Sequence, residues 1–367
     1  MTTGPVTTGP GAVPDAPAPP AVERIAVVRA LPGLGDLLCA VPALRALRAR
    51  WPTAHVTLVG LPAAAWFVTR YAALVDDLLV AAGVAGLPEI EPDRAALADF
   101  RAAAVASRFD LALQLHGSGG ASNPLTALLG ARHQVSAFVP GGPRPAGTAV
   151  PYLDGLPEVE RLLTVTRAAG APDAGLDLAF PLAPGDRDAA RRLLRPGPGG
   201  RDAPARGYAC LHPGASRPAN RWDPAAFAAV GDHLAARGLQ VVITGTAAER
   251  DIVADVTRRR RGPSLAMAGR TSVGSLAAVF AGAALVVSND TGAAHLASAV
   301  RAPSVTVFAP GGDPVRWAPL DRERHRAVVP EVAPACAWPS VVAVLGAVDA
   351  HLHPAAPPAS ASPEVLA

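Results

Sequence analysis

The sequence predicts an α/β protein built from two Rossmann-like domains whose parallel sheets face a central cleft. At 367 residues, the chain is long enough for two domains of about 150 residues each. Short apolar runs alternate with helical segments in both halves, which is typical of a parallel sheet covered by helices on both faces. A Pro/Gly cluster at 195–200 separates the two patterns and is the best domain boundary in the chain.

The first half begins with a strand over 24–29, and a glycine turn leads from it into a helical segment. Pro42 lies inside that segment, so we expect a short first turn and a main helix that starts near Pro42. Further elements are predicted as strands over 55–59, 77–80, 110–115 and 134–138, and as helices near 61–73, 93–107, 123–130 and 186–194.

The second half repeats the alternation. A helix over 224–237 has clear signals at both ends, with Asp223 as N-cap, Pro224 at its first position and Gly238 after its last turn. A final helix is predicted over 340–352. The strands are predicted over 208–211, 239–244, 264–267, 284–287 and 304–308.

Composition excludes several classes of protein. All 33 basic side chains of the Lys and Arg count are arginines, so chemistry that needs a lysine amine is excluded. No apolar run reaches the roughly 20 residues of a membrane span, and residues 1–20 lack the pattern of a signal peptide, so we expect a cytoplasmic protein. The basic run 258–261 has no interleaved aromatic residues, so we expect no nucleic-acid binding. Cys39, Cys210 and Cys336 lack metal-binding spacing.

Three loops of the second half carry candidate ligands for a nucleotide diphosphate. Each follows a predicted strand, and ligands of open parallel sheets bind beyond the carboxyl ends of the strands. Thr291 and Gly292 open a helix whose free N–H groups and dipole favour a phosphate. Arginines suit phosphates as well, and Glu249 suits ribose hydroxyls. The residues singled out in these loops are His212, Gly214, Ser216, Arg217, Asn220, Arg221, Glu249, Asp290, Thr291, Gly292 and His295.

Each of these signals also has a simpler structural interpretation. Asp290 on its own would be an ordinary N-cap, and His295 an interior histidine with its hydrogen bonds satisfied. Gln114 and His116 follow the strand over 110–115 and are candidates to line the cleft, although polar residues at a strand end are often turn formers.

Asp36 is the candidate catalytic residue of the first half. It follows a glycine turn that is not a P-loop, and Leu38 stands where a dinucleotide-binding fingerprint needs a small residue. Its simplest role is to cap a helix. An ionised carboxylate that faces the cleft can also accept a proton from an acceptor hydroxyl.

Four segments together resemble glycosyltransferase family 9, the family of ADP-heptose:lipopolysaccharide heptosyltransferases. The resemblance covers nearly everything from about 23 to 350, and Asp-Thr-Gly-x-x-His is its most specific part. The segments are Gly-Asp-Leu-Leu at 35–38, His-Pro-Gly-Ala at 212–215 with Arg221-Trp222, the spacing from Gly245 to Glu249, and Asp-Thr-Gly-Ala-Ala-His-Leu-Ala at 290–297.

The resemblance implies a GT-B fold and metal-independent, inverting sugar transfer from a nucleotide sugar, with an ADP-linked sugar expected as co-substrate and no cofactor. Asp36 looks like the general base, and Thr291 with Gly292 like the diphosphate cradle. Asp290 would lie near the donor sugar, and Glu249 is similar to the ribose-binding acid of the family. No Asp-x-Asp metal motif stands at a strand end, and arginine, helix dipole and N–H groups can stabilise the leaving group instead.

Composition and the resemblance together divide the chain into segments. The resemblance implies an N-terminal domain that binds the acceptor, a C-terminal domain that binds the nucleotide sugar, and a last helix that crosses back to the first domain. The segments are a disordered leader at 1–22, the N-terminal domain at 23–185, a linker at 186–206, the C-terminal domain at 207–320, a segment with the crossing helix at 321–353, and a disordered tail at 354–367.

One position departs from the family pattern. Asn220 stands where the family usually has a lysine that contacts the donor phosphates, so Arg221 or Arg217 would have to stabilise the leaving group, or the protein is a slow or divergent member. Two alternatives therefore stay open, namely a sugar-nucleotide epimerase of the same fold and a non-catalytic nucleotide-sugar-binding protein. The expected partners are the nucleotide sugar and a glycan, lipid-linked glycan or small-molecule acceptor. We expect a monomer with at most peripheral membrane contact.

Overall fold

The structure, a computed structural model, describes residues 22–195, 207–330 and 337–352. Almost all of the predicted leader, most of the Pro/Gly cluster and the predicted tail lie outside the described residues, as does Cys336. Among the helices of the described ranges, none is both long enough and apolar enough to cross a membrane.

The first half alternates strands and helices as predicted. Its strands are β1 (Arg24–Val28), β2 (His55–Gly60), β3 (Asp77–Val80), β4 (Leu111–Gln114), β5 (His133–Phe138) and β6 (Thr148–Pro151). Its helices are α1 (Leu34–Cys39), α2 (Val41–Arg50), α3 (Ala65–Arg70), α4 (Arg94–Ser107), α5 (Ser122–Ala127), α6 (Glu158–Ala168) and α7 (Pro184–Leu194). Pro42 occupies the first turn of α2, where its missing N–H costs no helical hydrogen bond.

The second half repeats this architecture. Its strands are β7 (Tyr208–His212), β8 (Gln240–Ile243), β9 (Leu265–Ala266), β10 (Leu285–Asn289), β11 (Ser304–Val307) and β12 (His325–Val328). Its helices are α8 (Pro224–Ala236), α9 (Arg250–Arg259), α10 (Val273–Ala281), α11 (Gly292–Ala299), α12 (Pro314–Trp317) and α13 (Val341–Leu352). The side chain of Asp223 caps α8 by accepting a hydrogen bond from the Ala225 N–H at 2.8 Å, as predicted.

Both sheets are fully parallel and have the same strand order. The first sheet runs β3-β2-β1-β4-β5-β6, and the second runs β12-β11-β10-β7-β8-β9. The order reverses between β1 and β4 in the first sheet and between β7 and β10 in the second, and loops that leave such a switch point form a crevice for ligands. Asp36 follows β1, and the stretch from Ser288 to Gly292 spans the end of β10. The topology therefore brings the strongest sequence candidates to the two crevices.

Four elements differ from the sequence-based expectation. Strands β6 and β12 are short edge strands, and helix α6 was not predicted, although its buried residues Val159, Leu162 and Leu163 follow helical spacing. The last helix was expected to cross back to the first domain. Instead α13 packs against α8, β11 and β12 of the second half, because Val344 and Val348 complete the core of that half.

The two halves share a packed interface. Helix α7 lies in the segment assigned to the linker, and it packs along α10 of the second half. Asp186 at the start of α7 pairs with Arg70 of the first half, with 3.2 Å between Oδ1 and Nη2. The Phe180 N–H donates to the Ala299 carbonyl at 2.9 Å, and one apolar cluster continues from the first half into α10 and α11. The interface therefore fixes the two crevices relative to each other.

Candidate active site

The first turns of α1 and α11 meet across the boundary between the halves. A Cβ atom added to Gly35 would overlap the ring of His295, and one added to Gly292 would lie 2.8 Å from Leu34 Cβ. Neither glycine has a positive φ, so the requirement at both positions is for space and not for an unusual backbone conformation. The missing side chains let the two helix starts approach closely, which brings Asp36 and the Asp290–Gly292 turn to one place.

Asp36 presents its carboxylate to this junction. Gly33 is the N-cap of α1 and no side chain caps the helix, so Asp36 is not used as a helix cap. Its carboxylate is 24% exposed and accepts no hydrogen bond from any described residue, and its Oδ1 lies 3.6 Å from Nη2 of Arg29. Burial raises the pKa of Asp36, while the nearby Arg29 opposes that rise. The group is therefore a carboxylate with free oxygens in a partly dry site.

Arg29, at the end of β1, is the fully buried cation behind Asp36. Its Nε donates to the Asp36 carbonyl at 3.0 Å, and its Nη1 donates to Glu158 Oε1 at 2.9 Å. The other oxygen of Glu158 accepts from Nε of Arg316, in the second half, at 2.9 Å. Burial alone would raise the pKa of Glu158, but Arg29 and Arg316 hold it below its usual value.

Sequence reasoning missed the roles of Glu158 and Arg316 and treated Arg29 only as a strand residue. The one available signal was Arg29 itself, a charged residue at the end of an apolar strand, because a buried charge needs a partner. Which carboxylate would supply that partner depends on the tertiary fold.

Asn289, at the end of β10, holds the loop that follows β7. Its Nδ2 donates to the Pro213 carbonyl at 2.9 Å, and its Oδ1 accepts the Trp222 N–H at 3.0 Å. The Trp222 indole Nε1–H donates to the Pro339 carbonyl at 3.1 Å, and its ring is buried. A single buried amide therefore joins the first and third candidate loops at the β7–β10 crevice.

The start of α11 has the features of an anion site. Thr291 is the N-cap, and its Oγ1 accepts the Ala293 N–H at 3.3 Å. Asp290 is therefore not the N-cap of α11, contrary to the simpler interpretation of the sequence. Burial, with a smaller contribution from Asp313, raises the pKa of Asp290 to about 7. Its carboxyl group is thus able to lie next to another anion with less repulsion than an ordinary aspartate.

His295 faces the junction between the halves. Its Nδ1 lies 3.7 Å from the Cys39 thiol, and its ring packs edge-on against Trp317 at 6.0 Å between centroids. Burial lowers the pKa of His295 to about 4, so the imidazole is neutral at pH 7. His295 is therefore a packed, neutral residue of the interface.

Glu249 and His212 lie together at the ends of β8 and β7. Glu249 Oε2 accepts hydrogen bonds from the N–H and the hydroxyl of Thr246 at 2.7 and 2.9 Å, and it lies 3.9 Å from His212 Nε2. Burial lowers the pKa of His212, against the opposing influence of Glu249. A Cβ atom at Gly214 would overlap the Glu249 carboxyl group, so glycine is needed there for the loop to pass. Glu249 is held by one oxygen, and its Oε1 has no hydrogen-bond partner among the described residues.

The remaining residues of the first donor loop differ in how firmly they are held. Ser216 and Arg217 are exposed at its tip, and Asn220 is half-buried in a short 3-10 turn. Arg221 is half-buried, and its Nε donates to the Ala215 carbonyl at 2.9 Å. The guanidinium of Arg221 is thereby fixed near the crevice, whereas that of Arg217 is not.

Gln114 and His116 lie at the β1–β4 crevice and are both buried. His116 Nδ1 accepts the Ala30 N–H at 3.1 Å, and its Nε2 lies 3.7 Å from Glu89 Oε2. Burial lowers the pKa of His116, while Glu89 acts in the opposite direction. The Gln114 amide donates to the His116 carbonyl, so Gln114 braces the loop after β4. An open cavity of about 480 Å³ lies beyond this loop, between Ser118, Asn123, Phe138 and Arg144.

No group of three histidine, cysteine, aspartate or glutamate side chains within the described ranges is arranged to hold a metal ion.

Two parallel sheets of Rossmann order, with facing switch points and candidate ligands at both, define the class of two-domain α/β proteins with a GT-B fold. Residues 149–336, about half of the chain, match the family model described as glycosyltransferase family 9 (heptosyltransferase). The chain belongs to that family.

Relatives of known identity agree with this assignment. The chain is 34% identical to lipopolysaccharide heptosyltransferase 3 of Escherichia coli over 116 residues, which are 30% of this chain and 34% of that protein. The match thus spans about a third of the relative's length.

Solved structures share the fold. The Escherichia coli ADP-heptose lps heptosyltransferase II matches with a TM-score of 0.67 and 20% identity, over 90% of this chain and 98% of that one. The Escherichia coli heptosyltransferase WaaC with ADP matches with a TM-score of 0.66 and 21% identity, over 89% and 99%. At this identity, the likeness concerns the fold alone.

The close approach of α1 and α11 predicts that Gly35→Ala lowers stability. The new methyl group has to displace the His295 ring or separate the helices, which we expect to cost about 1–3 kcal/mol and several degrees of melting temperature. Calorimetric unfolding measures this loss. Gly346→Ala in α13 is the matched control, because nothing lies within 4 Å of the added Cβ and alanine is the better helix former. Equal melting temperatures for the two variants would contradict the close packing of α1 against α11.

Proposed function

We propose that this protein is an inverting glycosyltransferase that moves a sugar from a nucleotide sugar to an acceptor hydroxyl, with Asp36 as general base. One observation carries the proposal. The Asp36 carboxylate has no hydrogen-bond partner among the described residues, and it lies where the helix of the first crevice meets the helix N-terminus of the second. A base on one side and an anion site on the other are what direct displacement at a sugar requires.

The donor diphosphate would bind at the start of α11. Gly292 supplies its N–H group at the positive end of the helix dipole, and Thr291 can donate its hydroxyl. The half-buried guanidinium of Arg221 would stabilise the negative charge that develops on the leaving group, taking the place of the lysine that Asn220 replaces. Arg217, at the exposed loop tip, would reach the diphosphate only after the donor has bound.

The nucleoside would bind beside β7 and β8. Glu249 has one oxygen fixed by Thr246 and its Oε1 left for ribose hydroxyls, and His212 and Gly214 form the wall behind it. Ser216 would contact the donor from the loop tip. We propose ADP-heptose or a related ADP-sugar as donor, supported by membership of the heptosyltransferase family and by a structural neighbour that binds ADP.

Asp290 and His295 have different roles in this proposal. Asp290 would contact the donor sugar, where its raised pKa lessens repulsion from the diphosphate. His295 would act through packing, because its ring fills the space above Gly35 and so sets the distance between α1 and α11.

The acceptor would bind at the β1–β4 crevice of the first half. His116 and the loop braced by Gln114 follow β4, the neighbour of β1, and the cavity of about 480 Å³ near Phe138 and Arg144 has room for a sugar residue or a small molecule. An acceptor hydroxyl next to Asp36 would give up its proton to the carboxylate as its oxygen attacks the anomeric carbon.

We expect Asp36→Asn to abolish transfer while donor binding persists. The amide keeps the shape of the side chain but cannot accept the proton, so the rate should fall by about 10²–10⁴-fold. Transfer is measured as acceptor-dependent ADP release from ADP-heptose with a panel of glycan and small-molecule acceptors, and donor affinity by calorimetry. Asp251→Asn, at an exposed position of α9, is the matched control.

Wild-type activity in the Asp36→Asn variant would reject Asp36 as the base. Donor binding by the wild-type protein without transfer to any acceptor would favour the non-catalytic alternative. Conversion of the donor without any acceptor would favour an epimerase.

We further propose that the leaving group is stabilised without a metal ion. Arg221, the α11 dipole and the N–H group of Gly292 would provide the positive charge. Transfer activity should therefore be unchanged in excess EDTA. A loss of turnover in EDTA that magnesium restores would contradict this part of the mechanism.

A further inference from the structure

We infer that Arg316 and Glu158 are positioning residues that act on the catalytic base across the boundary between the halves, because Glu158 binds Arg29 behind Asp36 and is itself bound by Arg316 of the second half. This inference rests on the proposed role of Asp36 as the base. It concerns a chain of four side chains, Asp36, Arg29, Glu158 and Arg316, which we call the charge relay.

The relay begins with a buried guanidinium that serves two acids. Arg29 is completely buried, and its Nη1 donates to Glu158 at 2.9 Å. Its Nη2 lies 3.6 Å from Asp36 Oδ1, beyond hydrogen-bond range, and has no hydrogen-bond partner among the described residues. Arg29 therefore attracts the Asp36 carboxylate without occupying its lone pairs, which remain available to an acceptor hydroxyl.

Glu158 is the only bridge that the described residues provide from Arg29 to the second half. Its Oε1 faces Arg29, and its Oε2 accepts from Arg316 Nε at 2.9 Å and lies 3.6 Å from Arg161 Nη1. With a side chain only 2% exposed, Glu158 has to remain charged and paired, because an isolated buried charge is costly.

Arg316 enters the relay from the opposite half. It lies in α12, which is capped by Asp313, and its guanidinium stacks over the ring of Trp317 at 4.5 Å. Trp317 in turn packs on His295 of α11. The position of Arg316 is thus coupled to the same helix whose N-terminus we propose as the diphosphate site.

The charges around Asp36 are nearly balanced, which makes the relay sensitive to the loss of either partner. Arg29 and Arg316 are the cations, Glu158 and Glu89 are the anions, and the facing His295 of α11 is neutral at pH 7. Arg316 lowers the pKa of Asp36, whereas Glu158 raises it. Arg316 therefore favours the charged form of Asp36 from across the boundary between the halves.

Two substitutions test the relay because they change opposite charges. Arg316→Gln should raise the pKa of Asp36, and Glu158→Gln should lower it, each by about half a pH unit or more. The pKa is measured without any substrate by carbon-13 NMR of labelled aspartate carboxyl groups, with the Asp36 signal assigned by its absence in Asp36→Asn. Arg258→Gln removes an exposed arginine of α9 and should leave the titration unchanged.

Activity and rescue complete the test. The acid limb of the pH profile of transfer should move with the pKa of Asp36 measured by NMR in each variant. Arg316→Lys should keep that pKa near the wild-type value, because lysine keeps the positive charge. Titration of Asp36 at the wild-type value in both variants, or a shift in the same direction in both, would overturn the relay. If Glu158→Gln does not fold, the comparison of Arg316→Gln with Arg316→Lys, at a half-exposed position, tests the relay alone.

Failure of the proposed function is separately visible. An Asp36→Asn protein with full transfer activity would reject Asp36 as base even if both relay variants shifted its titration as expected.

Discussion

The close contact between the first turns of α1 and α11 is the constraint on which the site depends. Two glycines, Gly35 and Gly292, make it possible, since a methyl group at either position would strike the facing half. The contact brings a carboxylate from one Rossmann-like unit next to a helix N-terminus from the other. The proposed base comes from one half and the proposed anion site from the other, so the chemistry we propose belongs to the junction.

Electrostatics at the junction follows from burial. Asp36 and Asp290 both lie where desolvation raises the pKa of a carboxyl group, but among the described residues only Asp36 has nearby cations that oppose the rise. In our proposal the two acids have different tasks, because cations favour the charged form of Asp36, the base, whereas the raised pKa of Asp290 lessens its repulsion from a neighbouring diphosphate. His295, packed against Gly35, stays neutral, which keeps a further charge out of a site that has to bind an anion.

Much of the fold followed from the sequence because its signals are local. Alternating apolar runs and helices predicted both sheets, and Asp223, Pro224 and Gly238 predicted the limits of one helix closely. The edge strands β6 and β12 were missed because four residues at the border of a sheet carry little pattern. The last helix was expected to cross to the first half, whereas the packing of Val344 and Val348 holds it on the second. The packing of this helix depends on how its side chains fit against the tertiary structure of the second half.

The candidate site, like the fold, was predicted only in part from the sequence. The candidate loops were visible because glycine, hydroxyl and acidic residues follow strands at the ends where parallel sheets bind ligands. Asn289, Glu158 and Arg316 were not recognised, because their importance comes from partners 67 to 158 positions away in the chain. Buried polar side chains of this kind are recognised by the groups they satisfy, and one sequence does not contain that information.

A crystal structure with a non-transferable ADP-sugar tests the central claim most directly. The account predicts that the diphosphate lies at the N-terminus of α11. It also predicts an Asp36 carboxylate oxygen about 3–5 Å from the anomeric carbon, on the side opposite the leaving group, with room for one hydroxyl between the two. A diphosphate bound elsewhere, or an anomeric carbon out of reach of Asp36 in a closed complex, would contradict it.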